Sequence, residues 1–397
     1  MTTLTIAGGV YHERCIWPEW DQIYGSAGRA AAAVTEHVNT VRLVSCIRPD
    51  TRDLFLPYAS AYGIELNSTP STQTVSFEYF HSLSTPVIRP APALIVRQPE
   101  LIVEDKAVLR FGMMETTVRV KAERCVYDPQ SVLAPQQFHR NGSTSQQLAL
   151  VGNTAEICAL ATNTIPIDAA KQLISDGYAH LVVIKSGPEG AVVIQKNRQD
   201  LIPAFQSEFV WTIGTGDVFA GMFAARWGVH EDDPRDAAYL ASKAVATYVN
   251  TMSLPIPSFD VLRETNLREV NLQKGRVYLA APFFCIGQRW IVDEARRCLA
   301  DFGMEVFSPI HDVGSGPPEV IAPADLEALK GADVVFALLD GLDPGTLFEV
   351  GYARARNIPV YALAQAVSAN DLKMFSGSGC NLFSDLVTAL HHLAWRA

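Results

Sequence analysis

The chain has 397 residues, 42 of them acidic and 32 basic, for a formal net charge of −10. That length exceeds what one hydrophobic core usually fills, so two domains are expected. The acidic balance, with no run of Lys and Arg, argues against nonspecific binding to a nucleic-acid backbone or an anionic membrane, and it leaves room for a small anion held by backbone amides. The seven cysteines are scattered and include no C-x-x-C pair. They read as reduced thiols in a cytoplasm, not as a disulfide scaffold or a zinc site. The N-terminus lacks the basic-then-apolar pattern of a signal peptide, and no window of 18 apolar residues suggests a transmembrane helix.

Strand and helix patterns alternate along most of the chain. Residues 4–7 form a short apolar strand followed by two glycines. Residues 26–37 read as an Ala-rich helix and 40–46 as a strand. From about 72 to 120 the sequence is rich in Val, Thr, Phe and Tyr and alternates like half-exposed strands, which suggests an accessory sheet or lid. The α/β pattern resumes with strands at 148–152 and 181–185 around a helix at 167–176, and a long helix follows at 234–250. Pro255, Pro257 and a polar run from 263 to 274 mark a boundary, giving domains 1–268 and 274–397.

In the second domain, residues 276–280 read as a strand and 288–302 as a helix. Asp325 precedes an expected helix at 326–330. Residues 334–339 form an apolar run typical of a buried parallel strand. A turn with Asp343, Pro344 and Gly345 follows, and then a helix opens at Thr346 with Glu349 in its first turn. Residues 357–363 read as a further strand, 374–381 as a loop and 382–395 as a final helix. Ligand sites in open α/β sheets sit where strands end and helices begin, so Asp343 and Glu349 are placed for chemistry on a sugar.

Gly214, Thr215, Gly216 and Asp217 stand at the start of a helix. Glycines there leave backbone N–H groups facing an anion, and Asp217 beside them is placed to take a proton from a hydroxyl attacking a γ-phosphate. The same residues also read as a plain Gly-rich turn capped by Asp. Asn153 and Glu156 follow one strand end, and Ser186, Gly187 and Gly190 follow the next. Taken in this order, with the β-rich insertion ahead of them, the segments resemble the ribokinase (PfkB) family of sugar and nucleoside kinases. The resemblance implies an α/β/α domain with a small β lid, using ATP and magnesium. It implies Asp217 as base, Gly214 to Gly216 as an anion hole, Asn153 and Glu156 near magnesium and phosphates, and Ser186, Gly187 and Gly190 near the nucleotide. On the acceptor side the chain departs from the family. Trp211 stands where an Asp is usual, Glu13 replaces an early Asp, and the glycine segment with Gly25 and Gly28 has Ala where Asn is usual.

Residues 277–284, the run Gly331 to Val335, and the motif from Asp343 to Ala353 together resemble the nucleoside 2-deoxyribosyltransferase family. The resemblance implies a flavodoxin- or Rossmann-like domain with a parallel sheet. It assigns the nucleophile to Glu349, sugar contact to Asp343, base recognition or proton transfer to Asp325, and orientation of the nucleophile to Tyr278. Phe283, Phe284, Gly345 and Thr346 fall at the substrate. A carboxylate near C1′ stabilises oxocarbenium-like charge and can form a glycosyl-enzyme intermediate. A simpler reading stands beside each role: Tyr278 as a core aromatic, Asp325 as a helix N-cap, Asp343 as turn chemistry, the two phenylalanines as core, and Arg289 as a solvated helix residue instead of a 5′-phosphate contact.

These readings combine into a two-domain enzyme acting on a nucleoside, nucleotide or sugar. Its C-terminal half would cleave or transfer an N-glycosidic bond without a cofactor. Its N-terminal half would be a kinase, or a silent nucleotide-binding module controlling the glycosidase. Residues near the C-terminus often complete a neighbouring subunit's site in the resembled family, so a homo-oligomer is expected.

Overall fold

The computed structural model describes residues 2–130 and 135–396. The chain divides into two compact units, Met1–Val270 and Asn271–Ala397.

The first unit is built on a nine-stranded sheet. Its order is Arg198–Ile202, Ala191–Gln195, Leu181–Lys185, Thr144–Asn153, Val118–Asp128, Leu101–Phe111, Thr3–Ala7, Thr40–Ile47 and Ile64–Pro70. All neighbours are parallel except at the edge, where Ala191–Gln195 runs antiparallel to both of its partners. Strand residues alternate between two cores, because successive side chains point to opposite faces. Leu4, Ile6, Leu109 and Val183 pack on the face with the helices Gly25–Ala33, Thr215–Phe223 and Pro234–Thr251. Ala7, Val108, Val182 and Ile184 pack on the face with Thr154–Ala161 and Pro166–Ser175. Helices on both faces explain why these strands read as continuous apolar runs. The result is an α/β/α layering.

A second, four-stranded sheet runs Trp20–Ile23, His12–Cys15, Ser76–Tyr79, Val87–Arg89. This is the expected small β layer, but its membership differs from the sequence reading. Leu101–Phe111 and Val118–Asp128 lie in the large sheet, and two strands from the N-terminus take their place. Alternation identifies a strand and not its partner, so the sequence signal could not assign them. The Ala-rich helix is also shorter than predicted. It ends at Ala33, and the chain then turns through His37, whose ring is hydrogen-bonded to the Ile256 carbonyl.

The second unit has five parallel strands: Arg276–Ala280, Glu305–Phe307, Val334–Leu338, Val360–Leu363 and Asn381–Phe383. Numbered along the chain, their order across the sheet is 2-1-3-4-5. This is the flavodoxin-like order, and it reverses between the first and third strands, so the ligand crevice is expected outside their carboxyl ends. Three helix boundaries differ from the sequence reading. The helix containing Asp325 runs Pro318–Lys330, so Asp325 lies well inside it and caps nothing. Pro318 at the first helical position starts that helix earlier than the charge pattern suggested. The helix carrying Glu349 is Pro344–Ala355, and its first turn holds no acid. The expected final helix is split into the strand Asn381–Phe383 and the helix Leu386–Ala394, capped by Asp385. Part of the expected loop ahead of it is the short helix Lys373–Gly377.

Candidate functional site

In the second unit the strand-order reversal brings together residues from three elements. Tyr278 comes from the first strand and is fully buried, stacked on Phe307 with ring centroids 5.5 Å apart. Its hydroxyl donates to Glu349 Oε1 at 2.5 Å. Glu349 sits in the second turn of Pro344–Ala355, after the third strand. Burial raises its pKa to about 7, with Asp325 and Asp343 adding to the rise and the Tyr278 hydrogen bond opposing it. The helix dipole, which acts within the first turn, does not offset this burial, because Glu349 lies past that turn.

Asp325 acts electrostatically on both Tyr278 and Glu349. Its own pKa is raised by burial, and its Oδ1 is buried without a hydrogen-bond partner among the described residues. A buried, unpartnered carboxylate oxygen is costly unless something joins it. Asp343 caps the helix: its Oδ2 accepts from Thr346 N at 2.8 Å and Thr346 Oγ1 at 3.1 Å. Thr346 is buried, and a Cβ on Gly345 would lie 3.1 Å from the same Asp343 oxygen. These three residues thus build the helix start. Phe283 and Phe284 follow the first strand with rings 5.2 Å apart, and Phe284 is 72% exposed. Phe284 is therefore not core. Arg289 is exposed and donates to the Phe283 carbonyl at 3.0 Å.

In the first unit, Gly214 adopts φ 80° as the N-cap of Thr215–Phe223. A Cβ on Gly216 would lie 3.2 Å from Lys185 Nζ. Lys185 pairs with the fully buried Asp128 at 2.5 Å. Burial works against the charge on Lys185, but Asp128, Glu156 and Asp217 outweigh it and raise its pKa. A protonated amine thus stands at the glycine turn. Sequence reasoning missed Lys185, although its place one residue before the Ser186 turn was a usable signal.

Asn153 and Glu156 form a reciprocal capping box. Asn153 Oδ1 accepts from Glu156 N and Glu156 Oε2 from Asn153 N, both at 2.8 Å. That arrangement satisfies the helix terminus and engages both side chains locally. Among the described residues no group of three or more His, Cys, Asp or Glu is arranged to hold a metal ion. Ser186 and Gly190 close the tight turn between antiparallel strands, with Ser186 N donating to Gly190 O at 2.8 Å. Gly187 has φ 55° and open space around it.

Asp217 is 7% exposed, and both of its oxygens are taken. Gln130 Nε2 donates to Oδ1 at 2.7 Å and Arg29 Nη1 to Oδ2 at 2.9 Å. Arg29 is itself fully buried and forms a two-pronged pair with Glu13 through Nη1 and Nη2. Its Nε donates to Tyr248 Oη at 3.0 Å. Burial opposes its charge, but Glu13, Tyr248 and Asp217 outweigh that and raise its pKa. A Cβ on Gly214 would overlap this guanidinium. Gly25 and Gly28 serve packing: their added Cβ atoms would meet the Tyr11 backbone and the Phe55 ring. Trp211 is buried against Trp20, ring centroids 5.3 Å apart. Arg29, Gln130 and Tyr248 carried no sequence signal, since they join the site from distant parts of the chain.

Magnesium and ATP fit this unit unequally. Gly214, Gly216 and Lys185 suit a phosphate group, whereas Asn153, Glu156 and Asp217 are engaged with other side chains or backbone.

Comparison with known proteins gives a family match within each unit. Residues 145–257 match the model of the pfkB family carbohydrate kinases, and residues 277–381 match that of nucleoside 2-deoxyribosyltransferase. A fructokinase from Vibrio cholerae O395, solved with fructose, ADP and calcium, is similar at 16% identity and TM-score 0.51, covering 66% of this chain and 98% of its own. Ribokinase from Giardia lamblia is similar at 15% identity and TM-score 0.51, covering 66% and 99%. No curated protein sequence matches the chain. Among the described residues no helix is long and apolar enough to cross a membrane. The chain therefore joins a PfkB kinase-like, ribokinase-fold domain to a nucleoside 2-deoxyribosyltransferase-like domain.

Proposed function

We propose that the second unit cleaves the N-glycosidic bond of a nucleoside or nucleotide, with Glu349 as nucleophile. The observation that carries this reading is the Tyr278–Glu349 hydrogen bond of 2.5 Å beside the unpartnered Asp325 oxygen. Tyr278 holds Glu349 Oε1 and leaves Oε2 for C1′. In its ionised form Glu349 attacks C1′ as the bond to the base breaks. Asp325, whose pKa burial raises, gives its proton to the departing base. The glycosyl ester on Glu349 is then attacked at C1′ by water or a second base, and the Asp325 carboxylate takes the released proton. Asp343 sets the start of the helix and keeps one oxygen outside the cap for a sugar hydroxyl. The exposed Phe284 offers a face for the base. A panel of nucleosides and nucleotides with mass-spectrometric detection of freed base tests the reading. Release by the wild type that persists in Glu349→Ala would sink it.

For the first unit the geometry favours a nucleotide-binding module over an active kinase. When bound, ATP with magnesium would supply a transferable phosphoryl group, and Gly214, Gly216 and Lys185 would hold its phosphates. Transfer would need Asp217 free to accept a proton from an acceptor hydroxyl. Arg29 and Gln130 occupy both of its oxygens instead. On this reading nucleotide binding modulates the glycosidase without phosphorylating anything. Base release measured with and without ATP, together with an ADP-formation assay on sugars and nucleosides, tests it. ADP formation that Asp217→Asn abolishes would restore the kinase.

A further inference from the structure

A second region of the first unit has the features of a ligand site. A cavity of about 300 Å³ is lined by Arg97, Arg110, Phe111, Met113, Tyr127 and Gln130, among others. The volume lies at the lower end of the range for small-molecule sites. Arg110 is 5% exposed, yet it has no ion-pair partner among the described residues. Among the described residues its Nη1 donates only to neutral groups: Ser143 Oγ at 3.0 Å, the Phe138 carbonyl at 3.2 Å and Asn141 Oδ1 at 3.5 Å. Among the described residues its Nε is buried without a partner and its Nη2 donates to none. The guanidinium lies over the Tyr127 ring at 4.8 Å.

Burial lowers the Arg110 pKa. The carboxylate acting on it, Glu100, is already paired with Arg119 at 3.3 Å. Arg97 is exposed at the same cavity and forms no ion pair among the described residues. It acts from a distance on Glu115, whose Oε2 is taken by Tyr11. A buried cation held only by neutral acceptors is expensive, and an arriving anion relieves it. Paired guanidinium groups suit phosphate and carboxylate oxygens.

We propose that this cavity binds a small organic anion, its phosphate or carboxylate on Arg110 and Arg97 and its body against Phe111, Met113 and Tyr127. The cavity is lined by none of Gly214, Thr215 or Gly216, so it is separate from the glycine turn. It is linked to Asp217 through Gln130, which lines it and donates to Asp217 Oδ1. Occupancy is thereby reported to the buried carboxylate cluster.

Calorimetric titration and thermal shift of the full chain with inorganic phosphate, ribose 5-phosphate and succinate test the proposal. At least one of the three is expected to bind the wild type, and binding should weaken roughly tenfold or more in Arg110→Gln and in Arg97→Gln. Preference for the phosphates or for succinate identifies the charged group. Tighter binding of ribose 5-phosphate than of inorganic phosphate supports the contact with the ligand body. Among the described residues the Arg97 side chain makes no hydrogen bond, so Arg97→Gln carries the test if Arg110→Gln does not fold. Wild-type affinity in Arg97→Gln, or no binding of any of the three, overturns the proposal.

Discussion

Arg29 donates to Asp217 Oδ2 at 2.9 Å and, through the same nitrogen, to Glu13 Oε1 at 3.1 Å. One buried cation thus pairs with a carboxylate from the small sheet and one from the start of a core helix. Breaking such a pair leaves a buried charge without its partner, which costs about 3–5 kcal/mol. Arg29→Ala is therefore expected to lower the unfolding free energy of the first unit by roughly that amount. The double variant Glu13→Gln with Arg29→Met should recover a substantial part of the loss. Chemical denaturation of the three proteins checks this, and a double variant no better than Arg29→Ala would refute it.

Glu349 should govern the pH dependence of base release. With its pKa raised to about 7, Glu349 is expected to set a limb of the pH profile near 7, since turnover needs the ionised nucleophile together with the Asp325 proton. Tyr278→Phe removes a hydrogen bond that favours the ionised form, so that limb should move to higher pH and kcat should fall. A pH–rate profile of both proteins is the measurement; a limb that stays in place would argue against the positioning role of Tyr278.

The same raised pKa has a consequence for stability. The folded protein binds the Glu349 proton more tightly than the unfolded chain does. Between the ordinary glutamate pKa and about 7 the native state therefore holds more protons, and the contribution of Glu349 to stability declines as pH rises through that window. Glu349→Gln is expected to raise Tm relative to the wild type at pH 8 and to change it little at pH 4, while lowering base release about a thousandfold or more. Melting curves at the two pH values, with the activity assay, check both halves.

Asp343 caps a helix and also stands at the proposed sugar site, and substitutions separate the two roles. Asp343→Ala should destabilise by about 0.5–2 kcal/mol through loss of the cap, whereas Asp343→Ser should keep most of the stability. If the carboxylate also meets the sugar, Asp343→Ser loses kcat/KM while keeping its Tm. Wild-type kcat/KM in Asp343→Ser would reduce Asp343 to a cap.

Much of the fold could be read from the sequence because buried parallel strands write themselves as apolar runs. Residues 181–185 and 276–280 were located to the residue by that signal. The glycine turn and the Asp343 to Ala353 motif were legible because each concentrates special backbone chemistry in a few consecutive positions. What stayed hidden is long-range. Arg29 meets Asp217 across 188 positions and Gln130 meets it across 87, and no local pattern encodes such a meeting. Asp325 was misplaced for a related reason. Acid before an apolar run suggests a cap, but Pro318 had already started the helix, and only tertiary packing turns Asp325 toward Glu349.

Arg29 is covalently attached to the unit whose carboxylates it occupies. Any hydroxyl compound seeking the space between Glu13 and Asp217 competes with a tethered ligand, present at an effective concentration in at least about the millimolar range. A free metabolite at ordinary cellular levels is a poor rival to a group that never diffuses away. Selectivity at this place is thus fixed when the chain folds, before any small molecule arrives.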